Sequence, residues 1–360
     1  MALVARHAPA VSMSRFAKPT SASQVLRSFS SSASKCSTAA PTPTFSKPRR
    51  SLLYVPGSSE KMLRKADSAG ADTIVLDLED SVADHQKGRA REAVYHKLNA
   101  LAHPVEGNSS GRSEMAVRIN PPSGSGPLAG DDLELLLPLE QLECILLPKV
   151  ESEEDVLFVI SRAQQLRPKE APPLSLILSV ESPASLFRMP TILDTVKKTA
   201  GVSTAGVTSL LFASEDFCHT AGITRTRSRR ELLFPRQQLA LIAKAYGGLG
   251  AIDMVCIDYK DEEYLREECR DGNEIGYDGK QAVSDRAAAG TAEPPTLSLH
   301  EAILRAVKIK AAYEEAVKGH RGAVGVTVGE QTLMIDAPQA DATLAKALAA
   351  KKPIPDPRSS

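Results

Sequence analysis

The chain has 360 residues, 42% of them hydrophobic and 24% charged, enough for one large domain or two ordinary ones. Lys+Arg and Asp+Glu both total 44, so no bulk basic charge draws it to nucleic acid, and no apolar run approaches the roughly 20 residues of a membrane span. The five cysteines (Cys36, Cys144, Cys218, Cys256, Cys269) are scattered without a C-x-x-C pair, which argues against a disulfide framework or a zinc cage.

The charge balance hides a split. The first acid is Glu60, whereas residues 1–50 carry Arg6, Arg15, Lys18, Arg27, Lys35, Lys47, Arg49 and Arg50 amid Ser and Ala. Arg-bearing, Ser-rich and acid-poor sequence, as in "VLRSFSSSAS" (25–34), describes a mitochondrial transit peptide. Residues 1–48 are therefore read as a leader and linker outside the fold, with the matrix as destination.

From Ser51 short apolar runs alternate with helix-like stretches. The expected strands are 51–55, 73–78, 115–119, 144–148, 174–180, 208–213 and 252–257, with "GKQAV" (279–283) as an eighth. The stretch "SSEKMLRKADSAG" between the first two opens on a capping serine and closes on Gly70. "SEEDVLFVISRAQQLR", "RQQLALIAKAYGG" and "DEEYLREECRD" follow the same scheme. Eight such βα units predict a (β/α)8 TIM barrel. A doubly wound open sheet is the alternative, but no G-x-G-x-x-G follows the first strand.

The strands stop on polar residues: Tyr54, Asp77 to Asp80, Arg118 to Asn120, Lys149, Glu181, Glu215-Asp216 and Asp258. In a barrel these C-terminal ends meet at one mouth, where active sites are built. Strand alternation puts Asp77 and Glu79 on one side, with Arg118 on the next strand as a partner for their charge.

"RRSLLYVPGSSEKMLRKA", "VLDLEDSV", "VRIN", "LLPKVES", "SVESPASL", "ASEDF", "IDMVCIDYKD", "GYDGKQAV" and "MIDAP" then appear in one order and spacing. In these nine pieces, from Arg49 to Asp336, the chain resembles the citrate lyase β-subunit-like family of acyl-CoA lyases, and its mitochondrial branch most of all. The resemblance implies a barrel over residues 49–320, a homotrimer, and a C-terminal helical arm (321–360) covering a neighbour's mouth. It implies Mg²⁺ held by Glu181 and Asp216, and Arg118 on the thioester or enolate oxygen. Tyr54, Lys61, Lys65, Val283 and Ser284 match positions that contact coenzyme A or the acyl group. Asp77 and Glu79 would orient Arg118 or metal-bound water, and Asp336 would be the acid/base carried by the arm. Two carboxylates without Cys or His also suit Mg²⁺ on chemical grounds.

The implied reaction cleaves a carboxylated 3-hydroxyacyl-CoA, such as citramalyl-CoA, to acetyl-CoA and a ketoacid. A malyl-CoA lyase or malate synthase, a CoA thioesterase, and the β-subunit of a citrate lyase complex are the alternatives. The chain departs from the family after "GYDGKQ": Ser284 stands where the family has His, and Asp285 where it has Pro. Glu151 doubles Glu181 in sequence but is read as a first-turn acid of the next helix. His85, His96, His219 and His300 fall outside the matched motifs and are read as surface or structural residues.

Overall fold

The computed structural model describes residues 48–101, 112–124, 127–200, 204–282, 325–328, 331–334 and 344. The first strands are β1 (Ser51–Pro56), β2 (Thr73–Asp77), β3 (Glu114–Arg118) and β4 (Cys144–Leu147). They are followed by β5 (Leu174–Val180), β6 (Ala205–Phe212), β7 (Gly250–Asp253) and β8 (Gly279–Ala282). Each pairs in parallel with the next, and β8 pairs back onto β1, so the sheet closes and the open-sheet alternative is excluded. The helices between them are α1 (Glu60–Lys65), α2 (Lys87–Asn99), α3 (Leu128–Leu136), α4 (Glu153–Leu166), α5 (Pro183–Ala200), α6 (Ser214–Ala221), α7 (Leu233–Ala245) and α8 (Glu262–Glu274).

The helix ends follow from local chemistry. Ser59 caps α1, accepting from the Met62 amide. Ser152 and Asp155 form a capping box on α4, and Asp261 accepts from the Tyr264 amide at the start of α8. Gly70, at φ +71°, ends the α1 segment in the left-handed conformation that glycine adopts without cost.

Strand alternation builds the two cores. Leu52, Val75, Ala116, Cys144, Leu146, Ile177, Leu211 and Ile252 pack together as one cluster inside the barrel. Their neighbours in sequence, among them Ile74, Leu76, Met115, Val117, Ile145, Leu176 and Leu178, join the larger core toward the helices. One step beyond the inner apolar layer the same inward face carries Tyr54, Asp77, Arg118 and Gln281 at the C-terminal ends of their strands. An apolar middle thus supports a polar mouth.

Two expectations need correction. The sequence predicts the seventh strand over 252–257, ending on Asp258, but β7 runs from Gly250 to Asp253. Beyond it the carbonyls of Asp253 and Met254 accept from Gln281 Nε2 and Lys280 Nζ, so side chains of β8 take the place of ladder bonds. Asp258 is exposed and lies 3.8 Å from Arg227. The buried acid of this strand is Asp253, which faces outward onto Arg236 at 2.8 Å. The arm, expected to be helical, contains an antiparallel pair, β9 (Gly325–Val328) with β10 (Gln331–Met334). Val326, Thr327, Val328 and Thr332 are β-branched and favour that conformation. Val283, Ser284, Asp336 and His300 lie outside the described residues.

The floor of the barrel is closed by Arg49. Its guanidinium makes two 2.7 Å bonds to Glu114 on β3 and reaches Thr208 and Ser209 on β6 at 2.7 and 2.9 Å. Gly279 makes room for this segment: a Cβ there would stand 1.8 Å from the Arg49 carbonyl oxygen. Both partners are nearly inaccessible, so removing one strands a buried charge. Arg49→Ala should lower unfolding free energy by about 3–5 kcal/mol in urea titrations. A loss below about 1 kcal/mol would show that Glu114 finds its compensation elsewhere.

Candidate active site

Arg118, the last residue of β3, lies against the acids that end β2. Its Nε and Nη2 donate to the two Asp77 oxygens at 2.7 and 2.6 Å, and Nη1 lies 3.0 Å from Glu79 Oε2. The register Asp77↔Arg118 makes this pairing a consequence of the β2–β3 ladder. Asp77 also accepts from the Glu79 amide (2.9 Å), the Ser81 amide (3.2 Å) and the Ser81 hydroxyl (2.5 Å). Burial would raise the Asp77 pKa, but the Arg118 hydrogen bonds and charge outweigh it and hold the carboxyl below its usual value. Glu79 is different: burial is the largest influence and raises its pKa despite Arg118 and Lys149. Buried Lys87 fixes the turn from below, donating to the carbonyls of Leu78 (2.9 Å) and Glu79 (2.7 Å).

Tyr54 completes this half. The Arg118 guanidinium carbon lies 5.0 Å from the centre of its ring. Its hydroxyl donates to Gln281 Oε1 at 3.0 Å, and Gln281 Nε2 donates in turn to the carbonyl of Phe212. The guanidinium is thus fixed on one edge by Asp77 and beneath by an aromatic face. N–H groups on Nη1 and Nη2 remain for a further acceptor.

The other half is a pair of acids. Glu181 follows β5 directly and is buried, while Asp216 sits half-buried in the first turn of α6. Glu181 Oε1 accepts from the Lys149 amide at 3.1 Å, and Oε2 is buried without a hydrogen-bond partner. Burial above all pushes the Glu181 pKa up to about 7, and the facing Asp216 carboxyl adds to the rise. Among the described residues no three His, Cys, Asp or Glu side chains converge as a metal cage. Two carboxylates, one with an orphaned oxygen, fit a hard divalent cation whose other positions go to water or substrate oxygens. They do not fit zinc.

The sequence-expected residues therefore fall into three groups. Tyr54, Asp77, Glu79 and Arg118 are drawn together, and Glu181 stands with Asp216. Lys61 and Lys65 are exposed on α1, outside the hydrogen bonds and ion pairs of the mouth among the described residues. Glu151 precedes α4 rather than lying in its first turn, and its carboxylate accepts from the Ser182 hydroxyl at 2.5 Å. His85, His96 and His219 are exposed. Sequence reading gave no role to Lys149, which bonds Glu79 through Nζ, or to Lys87 and Gln281. The one signal for Lys149 in the sequence is its place as a cation just past a strand end, ahead of the strand that leads into Glu181.

A closed (β/α)8 barrel that presents a guanidinium and a pair of carboxylates at its C-terminal mouth has the architecture of a barrel enzyme. The chain belongs to the HpcH/HpaI aldolase/citrate lyase family, whose model matches residues 50–285. It is 34% identical to the mitochondrial citramalyl-CoA lyase of Homo sapiens over 81% of this chain and 82% of that one. It is 31% identical to a (3S)-malyl-CoA thioesterase of Cereibacter sphaeroides over 83% of this chain and 95% of the relative. The crystal structure of Mycobacterium tuberculosis CitE with magnesium, acetoacetate and coenzyme A matches at TM-score 0.61 and 25% identity. That match covers 85% of this chain and 100% of CitE.

The raised Glu181 pKa carries a sign for stability. The folded protein binds this proton more tightly than the unfolded chain, so the carboxylate destabilises fully above pH 7 and not at all below about pH 4.5. Without divalent cations, Glu181→Gln should exceed wild type by roughly 1–3 kcal/mol at pH 8, with the gap closing as pH falls through 7 toward 4.5. Urea titrations at pH 8 and pH 5 measure it. A variant less stable than wild type at pH 8 would contradict the assignment of an uncompensated buried carboxylate.

Proposed function

We propose that this chain is a Mg²⁺-dependent acyl-CoA lyase that cleaves citramalyl-CoA to acetyl-CoA and pyruvate. The observation that carries the reading is the juxtaposition of the Arg118 clamp with the Glu181–Asp216 pair at one barrel mouth. The 34% identity to human citramalyl-CoA lyase supports the substrate, and magnesium and coenzyme A in the CitE structure support the cofactor and the thioester.

Glu181 and Asp216 would hold the cation. When bound, Mg²⁺ supplies Lewis acidity to the carboxylate and hydroxyl oxygens of a 3-hydroxyacyl group. The reaction is a retro-Claisen-type cleavage. The hydroxyl gives its proton to solvent water and becomes the ketone of pyruvate as the bond between the acetyl methylene and the carbinol carbon breaks. The electron pair passes into the enolate of acetyl-CoA. Arg118 receives that charge: its free N–H groups meet the enolate oxygen, while Asp77 keeps the guanidinium from turning away. Tyr54 holds its face. A proton on the enolate carbon then completes acetyl-CoA. We assign that proton to Asp336, carried by the arm of a neighbouring copy in a homotrimer, on the strength of the "MIDAP" resemblance. Lys61 and Lys65, exposed on α1, offer charge to the phosphates of coenzyme A. The acid-free first 48 residues and the mitochondrial human relative support a matrix location.

The thioesterase relative favours a second reading, hydrolysis of the thioester on the same barrel. The products separate the two. Given citramalyl-, malyl- and methylmalyl-CoA with Mg²⁺, the purified protein should release pyruvate and acetyl-CoA from the first and turn over the others more slowly. Free CoA with intact hydroxyacid would establish the hydrolase instead. Arg118→Lys keeps the charge but loses the planar fork, and kcat should fall by about 10²–10³, the usual cost of one oxyanion donor. An effect on KM alone would reduce Arg118 to substrate binding.

A further inference from the structure

Lys149 lies just beyond β4 in the left-handed backbone region, at φ +49°. Few residues with a side chain adopt it, and strain of this kind persists where the surroundings over-determine the geometry. Here they do. Its amide donates to Glu181 Oε1 at 3.1 Å. Its side chain folds over the mouth, where Nζ bonds Glu79 Oε1 and stands 3.3 Å from Asp80 Oδ1 and 4.0 Å from Glu181 Oε2. The residue thus touches both halves of the site, the carboxylate pair through its backbone and the guanidinium clamp through its ammonium.

We propose that Lys149 is a positioning residue that sets the charge balance between these halves. This inference rests on the lyase reading and deepens it. Glu79 lies between two cations, with Oε1 on Lys149 Nζ and Oε2 3.0 Å from Arg118 Nη1. Asp80 is shared in the same way, 3.3 Å from Nζ and 3.6 Å from Arg118 Nη1. The ammonium therefore absorbs negative charge that would otherwise fall on Arg118 alone. Without it, Glu79 and Asp80 draw down the positive potential that Arg118 offers an enolate oxygen. Beside the orphaned Glu181 Oε2 the same ammonium opposes a divalent cation. The structure assigns Lys149 two effects of opposite sign: it weakens cation binding and strengthens the guanidinium.

A residue that merely supported the fold would move both quantities the same way when lost. Lys149→Asn separates the cases, because Asn tolerates the left-handed backbone and carries no charge. Lys149→Arg keeps the charge. The measurements on the full chain are Mn²⁺ affinity by titration calorimetry at pH 8, and kcat and KM with citramalyl-CoA at saturating Mn²⁺. Lys149→Asn should bind Mn²⁺ about threefold to tenfold more tightly than wild type. Its kcat should fall by about tenfold or more. Lys149→Arg should stay within about twofold of wild type in Mn²⁺ affinity, since the charge is kept. An Asn variant that binds Mn²⁺ equally or more weakly overturns the proposal, as does tighter binding with unchanged kcat. Wild-type protein that binds no Mn²⁺ overturns the metal-dependent reading itself, and that failure appears before any Lys149 variant is compared.

Discussion

Too many carboxylates in too little water is the condition that organises this structure. Asp77, Glu79, Asp80, Glu181 and Asp216 gather at one end of the barrel, three of them buried. Side-chain charges of this kind leave water only when other charges or donors replace it. Asp77 is fully compensated by Arg118, by Ser81 and by backbone amides. Glu79 is shared between Arg118 and Lys149. Glu181 is left with one bare oxygen and a pKa near 7. Compensation is graded across the mouth, complete at the guanidinium and incomplete at the carboxylate pair, and that gradient is what a cation and an anionic substrate can use.

The barrel makes the crowding affordable. Parallel register brings Asp77 beside Arg118, and the inward face of β5 continues through Ser179 to Glu181. The apolar layer of Leu52, Val75, Ala116, Leu146, Ile177 and Leu211 lies beneath and excludes water from below. Arg49 and Glu114 seal the opposite end with a second buried pair. Charge is confined to the two ends and the middle stays apolar, so neither ionic cluster depends on the other. The incompletely compensated end is the C-terminal mouth, the end at which barrel enzymes build their active sites and where stability is commonly given up for function.

Much of this was legible in the sequence because strand periodicity and strand ends are local signals. Seven of the eight strands fall where apolar runs predict them, and the acids and Arg118 sit at the predicted mouth. Met254 to Ile257 look like strand in sequence, but the carbonyls of Met254 and Val255 accept from the side chains of Lys280 and Arg225 rather than from a neighbouring strand, and those partners are distant in sequence. Lys149 is hidden for a similar reason. Its role depends on a positive φ and on two carboxylates from β2 and β5, none of which a one-dimensional pattern displays. The ribbon of β9 and β10 has only two four-residue strands, too short a β-branched run to stand out in the sequence.

On the proposed reading, the Glu181–Asp216 pair is a divalent-cation site beside Arg118. Crystals of the full chain grown with Mn²⁺ and measured at the manganese absorption edge test it directly. An anomalous peak is expected about 2.2 Å from carboxylate oxygens of both residues, a typical distance for small hard cations on oxygen ligands. A peak bound to other side chains, or none while both carboxylates are well ordered, would contradict it.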